Sequence, residues 1–551
     1  MDQPTDDRKS NKEDIAVEAE QEAITESAPE PPLADQEQAP ADSPSRAGDA
    51  VTAESTSTES EPPKAETAES QVSSEDTIGF GESDSDSVGF GEEDSSAGES
   101  APAVASAGSL TLDSFVRSQA EWWSERLKDN PWAKLRQNLD SDLRYKKRFD
   151  IDADSLELRL VAGVHLEYDF AYLHQRDSYD DAVLDAYEYQ IIGRETSLTL
   201  TYDVVELTFG RQIVAWGEGM VLSPIDVVNP QDFREHFLVD LVDRRMATLA
   251  TKLGFYLGDH RLEAMVIHES YFGLTPPPMA AFSPLRALLL EDPRIEAVRY
   301  SKTLRYKDIP GRWVNQASQV LGRWSYAGHG FDLSFYAASI LERRGVNPQT
   351  PVSEFIANDV VDIELWHPRY TMLAHSGSVP VEDVVLKWEL AFDINRAFNT
   401  TDTSIEGFNV DIAKYHQLVS MFGFQYQNIV KDANLIFEYE QHYVIDSPEH
   451  DADSDSSIGL QFPVEQPQFA LVWQQTFLQE RLSLDIRAIL FGIWRYTGWM
   501  AKAELGYELT EGLKAAVGYA TFQPNDEFSL IYGMDSNDRI LANLRWDFLL
   551  E

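Results

Sequence analysis

The chain contains no cysteine, which excludes disulfides, thiolate metal sites and cysteine nucleophiles together. That fits a protein crossing an oxidising compartment. No run approaches the roughly 18 consecutive apolar residues a membrane-spanning helix requires, so the chain is either soluble or crosses a membrane with strands. Basic residues are scarce, with Lys+Arg 45 against Asp+Glu 94 and a net charge of -49 over 551 residues. Such an excess argues against nucleic acid and against docking on anionic lipid surfaces. A secretory signal is missing too: MDQPTDDRKSNKED has neither an apolar core nor a cleavage site. An exported chain needs one, so Met1 is expected to begin a processed or recombinant form. There is no GxSxG, HExxH or Walker loop, and the 11 histidines lack metal-ligand spacing. In AHSGS, His375 and Ser376 are adjacent, so on a strand they face opposite sides. Neither an enzyme nor a metal or cofactor is expected.

What is present divides by composition. Residues 1–108 hold 28 acidic and 5 basic residues and two aromatics, Phe80 and Phe90. Such a stretch buries too little apolar surface to offset its ordering entropy, and disorder is expected. Within it DTIGFGESDS (76–85) is followed directly by DSVGFGEEDS (86–95). One reading makes Gly79, Phe80, Gly81 and Glu82, with Gly89, Phe90, Gly91 and Glu92, a duplicated docking motif whose rings enter a partner's pocket. The other makes it a tandem duplication in a solvated linker.

Residues 109–137 place Phe115, Val116, Trp122, Trp123 and Leu127 at roughly helical spacing before Asn130-Pro131, which predicts an amphipathic helix and linker. From 138 to 551 the period becomes two. Leu386, Trp388, Leu390, Phe392 and Ile394 alternate with Lys387, Glu389, Ala391 and Asp393. The last strand carries Ile540, Ala542, Leu544, Trp546 and Phe548 on one face, resembling the terminal signal read by the barrel-assembly machinery. Charged residues on the face opposite an aromatic-rich one suit a wet lumen, which a sandwich core does not offer. The expected fold is therefore all-β, an antiparallel transmembrane barrel of about 14–16 strands in an outer membrane. Outer-membrane lipid and lipopolysaccharide would surround it, with the N-terminal segment in the periplasm. A long loop over 270–315 contains TPPPMAAFSPLRALLLEDPR, read as a proline turn and a short apolar helix, and HDADSDSS (450–457) is an acidic insertion.

The most specific stretch is 184–269: LDAYEYQIIG, VVELTFGRQIVAWGEG, SPIDVVNPQDFRE and KLGFYLGDHRLEAMVIHE. The order of GRQ, WGE and D-x-x-NP-x-D-x-R resembles a proteobacterial family of outer-membrane porin-like proteins of unknown function. Its members are often encoded near transporters of the resistance-nodulation-division type, which implies passage of lipid-like or other hydrophobic compounds and a periplasmic or inner-membrane transporter partner. The acidic segment departs from the family's short lead-in. Physically, Gly210 marks a bulge or a close backbone approach, and a bulge would return Arg211 to the lumen. Arg211, Gln212, Glu218, Asp226, Asn229, Asp232 and Arg234 would then hold loop 217–235 inside the barrel, with Trp216 packed beneath it. That network either lines a constriction or only anchors the loop. Passage of small molecules is the leading function, and the alternative is an envelope scaffold recruiting a partner through Phe80 and Phe90.

Overall fold

The computed structural model describes residues 108–124, 131–151, 154–174, 176–235, 238–283, 286, 303–309, 318–347, 359–401, 410–445, 465–492, 497–525 and 529–550. The GFGE repeat, the acidic insertion at 450–457, Leu127 and the apolar run beyond Arg286 lie outside them.

Eighteen antiparallel strands form one sheet. They are β1 (Ser109–Trp123), β2 (Trp132–Ile151), β3 (Asp154–Asp169), β4 (Tyr189–Tyr202), β5 (Val205–Gln212) and β6 (Thr248–Leu257). Next come β7 (His260–Ile267), β8 (Gln319–Gly328), β9 (Phe331–Leu341), β10 (Arg369–Val381), β11 (Val384–Thr401) and β12 (Val410–Gln427). The last are β13 (Ala433–Ile445), β14 (Glu465–Phe477), β15 (Leu482–Phe491), β16 (Gly498–Thr510), β17 (Leu513–Pro524) and β18 (Arg539–Leu550). Each pairs with the next in sequence, and β1 pairs with β18 from Leu112↔Leu550 to Trp123↔Arg539, which closes the barrel. Closure leaves no sheet edge to satisfy.

All tight hairpins fall at one end, where the chain enters at Ser109 and β18 finishes. Asp203, Gly258, Gly330, Glu382 and Gly512 supply the positive-φ residues that two-residue turns require. The longer connections all fall at the other end. Period two sorts the side chains into two faces. Outward come Leu160, Ile191, Phe209, Leu262, Phe335, Leu373, Phe422, Val517 and Trp546, all exposed. Inward come Lys134, Arg136, Glu167, Glu263, Glu389 and Glu438, all buried. An apolar exterior around a charged interior is what a strand-built membrane span demands.

Two expectations need correction. Ser109–Trp123 is a strand, not a helix, and the barrel begins there and not at 138. Both of its faces carry large apolar groups, which masks the period of two. Phe115 and Trp123 point inward beneath the guanidinium groups of Arg545 and Arg539, at 4.0 and 4.4 Å, while Leu110 faces out. The strand count is 18, above the expected 14–16, because two-residue turns leave little compositional break between neighbours. The 268–318 connection is not featureless either. Thr303–Ile309 pairs in parallel with Val360–Trp366 of the 342–368 connection, and Gly273–Leu274 pairs with Gln231–Asp232.

Closure predicts heat modifiability. Unboiled detergent-extracted protein should migrate differently from boiled protein on a denaturing gel, with or without residues 1–107. Identical mobility in both forms would remove the closed barrel.

Candidate functional site: a loop pinned across the lumen

The connection from β5 to β6, residues 213–247, turns into the barrel, and its polar residues divide the task of holding it there. Its two ends are tied first. Asn229 Oδ1 accepts from Val214 N at 2.7 Å, while Asn229 Nδ2 donates to the carbonyls of Gln212 and Met246 at 3.0 and 2.9 Å. Asp226 accepts from Arg245 at 3.0 Å. Burial raises the Asp226 carboxyl above its usual range, and Arg245 draws part of that shift back. Gln212, buried and inward, donates to Ala250 O at 3.0 Å.

The tip is tied next. Glu389 on β11 accepts from the backbone N–H groups of Glu218 (2.5 Å), Gly219 (2.7 Å) and Ile225 (3.1 Å), and from the Ser223 hydroxyl (3.0 Å). Glu438 on β13 accepts from Met220, Val221 and Leu222 N–H at 2.7, 3.0 and 2.8 Å. The glycines of WGEG make this approach possible. Gly217 sits at φ +92, and a Cβ there would lie 2.5 Å from Glu389 Oε1. Trp216, 1% exposed, packs on Tyr336 with ring centroids 5.0 Å apart and donates to Glu263 at 3.3 Å. Ser376 points inward and donates to Glu218 at 3.2 Å, whereas His375 lies beside outward Phe335.

Beyond the tip the loop crosses to β2 and β3, half the circumference from β11. Arg234 pairs with Asp232 (2.6 Å) and Glu167 (2.8 Å). Glu235 pairs with Lys134 (2.5 Å) and Arg136 (2.9 Å). Lys134 reaches Glu121 at 2.8 Å, and Glu121 reaches Arg539 at 3.0 Å. One buried ion chain thus runs from the loop across β2 and β1 to β18. Burial alone would raise the Glu235 carboxyl, but Arg136 and Lys134 outweigh it and pull it from an ordinary 4.5 to about 2.

Gln212, Trp216, Glu218, Asp226, Asn229, Asp232 and Arg234 are therefore brought together on this loop and its anchors. Arg211 is not. The ladder runs without a bulge through Leu198↔Phe209, Ser197↔Gly210 and Thr196↔Arg211, so Arg211 shares the outward face with Phe209. Its charge is met at the loop end by Glu269, 2.8 Å away. Gly210 serves the close approach instead: at φ +129, a Cβ would lie 2.3 Å from Thr196 O. The device expected at Gly210 occurs on β11. There the register slips between Asp393 and Arg396, with Asn395 at φ 58. The slip turns Arg396 inward to Glu342 (2.8 Å) and Asp393 (2.9 Å).

The anchors themselves were not singled out by motif. Glu389, Glu438, Lys134, Arg136, Glu167 and Glu235 are solitary charges on alternating strands or beside the motif. The one available signal is an acid on an inward position next to a small residue, as Glu389 is two residues from Ala391.

No protein-family model matches the chain, and no curated protein does. Among solved structures it is similar to OpdK of Pseudomonas aeruginosa, an outer-membrane protein, at 10% identity and TM-score 0.42, covering 80% of this chain and 99% of that one. OccAB1 of Acinetobacter baumannii gives 8% identity and TM-score 0.43, covering 80% and 96%. OprD of Pseudomonas aeruginosa gives 10% and 0.40, covering 80% and 95%. Likenesses this distant say nothing of solute or mechanism.

Glu389→Ala should leave three loop amides without their acceptor, at about 1–3 kcal/mol for each buried unsatisfied donor. The expected readout is faster proteolysis within 213–247, with Glu389→Gln in between; unchanged protection in the Ala variant would refute the latch. Glu235 makes a second case. Its carboxyl is depressed on folding, so its contribution is complete above the ordinary 4.5 and is lost as pH falls towards about 2. The protection of residues 232–235 against hydrogen exchange, expressed relative to the intrinsic rate at each pH, should be equal at neutral and mildly acidic pH and fall as pH drops from 4.5 towards about 2. A loss of protection between neutral pH and about 5 would count against this anchor.

Proposed function

We propose that the barrel sits in an outer membrane and passes small solutes through a lumen narrowed by residues 213–247. The single observation supporting this reading is the loop itself, tied by Glu389 and Glu438 on one wall and by the Lys134–Glu235 chain on the other. Buried backbone N–H groups need acceptors in any inturned loop, and the fixed outline that these bonds give is what a constriction requires in addition. Interior charge on strands such as β3 and β16 suits a water-filled path. On this reading the long connections face outside, and the hairpins and the N-terminal arm face the periplasm. The resemblance to proteins encoded beside transporters, together with apolar patches at Leu222, Ile489 and Met500 in the lumen, favours lipid-like or hydrophobic solutes and a transporter partner.

The scaffold reading keeps one structural point in its favour. Two apolar clusters fill the interior near the loop end, one around Trp216, Met265 and Met372 and one around Phe491, Phe522 and Ile531. Such a barrel anchors the arm, and Phe80 and Phe90 recruit the partner.

Planar-bilayer recording separates the two. The channel reading expects discrete conductance in the wild type, and larger, noisier conductance once Glu389→Ala and Glu438→Ala release the tip. Silence from both proteins favours the scaffold, whose own test is partner capture lost on changing Phe80 and Phe90 to Ala.

A further inference from the structure

A cavity of about 240 Å³ lies between the inturned loop, the start of the 342–368 connection and the walls from β10 to β16. Its two sides differ in chemistry. On one side are Arg244, Arg343 and Arg344, and the guanidinium groups of Arg244 and Arg344 lie 5.9 and 5.5 Å from the Phe233 ring centre. The other side is apolar and buried, formed by Leu222, Val472, Ile489 and Met500.

The acids that line it are already engaged. Asp226 pairs with Arg245 at 3.0 Å, Glu342 with Arg396 at 2.8 Å, Glu440 with His442 at 2.7 Å, and Asp240 with Arg487. Arg343 differs from these cations. Its bonds run to neutral backbone carbonyls, those of Val228 (2.7 Å), Tyr271 (3.1 Å) and Val227 (3.4 Å). Its buried Nε has no partner among the described residues. Burial pulls this guanidinium down to about 10, the direction expected of a cation lacking full compensation. In a protein of net charge -49, a recess whose arginines at least match its acids, facing an apolar wall, departs from the acidic excess of the chain.

We propose that this cavity binds an amphipathic organic anion, its acidic head at Arg343 beside Arg244 and Arg344 and its apolar body against Leu222, Ile489 and Met500. A charged head there gains charge-assisted hydrogen bonds in a partly dehydrated setting, and the apolar wall contributes by area removed from water. The assignment deepens the passage reading and rests on it for the role of the site, as a stopping point beside the constriction.

The test uses the full chain in phosphatidylcholine nanodiscs, with empty discs subtracted, titrated calorimetrically with hexanoate, hexanamide and acetate. Hexanoate should bind saturably, at least about tenfold tighter than the amide, which lacks the charge, and than acetate, which lacks the body. Arg343→Gln should weaken hexanoate about tenfold and Arg343→Lys less. Arg343 also holds loop carbonyls, so if the Gln variant loses its heat-modifiable barrel, the acid–amide comparison on the wild type decides alone. Equal binding of hexanoate and hexanamide, or no binding above empty discs, overturns the site. Conductance in the same preparation keeps the two readings apart: current without hexanoate binding removes only this site, and binding without current removes only the channel.

Discussion

A peptide segment inside a barrel carries its N–H groups away from bulk water, and each must find an acceptor there. The rest of the interior depends on how that requirement is met. Residues 218–225 form neither helix nor strand, so they cannot satisfy themselves. Two carboxylates on the far wall do it for them: Glu389 takes three amides and a hydroxyl, and Glu438 takes three amides. A carboxylate offers about four acceptor positions, so one side chain can close several donors that would otherwise be stranded. This explains why the tip needs glycine at 217 and why acids stand at those inward positions.

The base of the loop is held by a different kind of bond. Lys134, Arg136, Glu121, Glu167, Glu235, Arg234 and Arg539 are all buried, with side-chain exposures of 10% or less. Buried ion pairs bring little net stability over apolar packing, but removing one partner leaves a stranded charge at a cost of about 3–5 kcal/mol. Their value lies in position. The same chain of pairs that seats the loop spans β18, β1 and β2, where the first and last strands meet. Closure of the barrel and seating of the loop are therefore coupled through Glu121 and Lys134.

Much of this was legible beforehand, and the reasons differ by level. Period two identified strands, and charge opposite an aromatic face implied a wet interior. Loop 217–235 could be read as inturned because the polar residues from Gln212 to Arg234 can form a network that holds it inside the barrel. The helix expected within 109–137 failed because inward Phe115 and Trp123 are covered by arginines of β18, a contact over 400 residues distant in sequence. Arg211 failed for a related reason. Near the end of a strand a charge on the outer face can reach a carboxylate beyond the membrane-spanning part, and Glu269 meets it there.

The sequence by itself determined strand periodicity, the two-faced character of the wall, and which loop turns inward, because these are local properties of side-chain order. Only the tertiary structure decided the number of strands, the partners of the loop and the joining of arginines and apolar residues in one cavity. Those depend on which residues meet across the ring, and closing a ring of strands brings together positions that no local pattern relates.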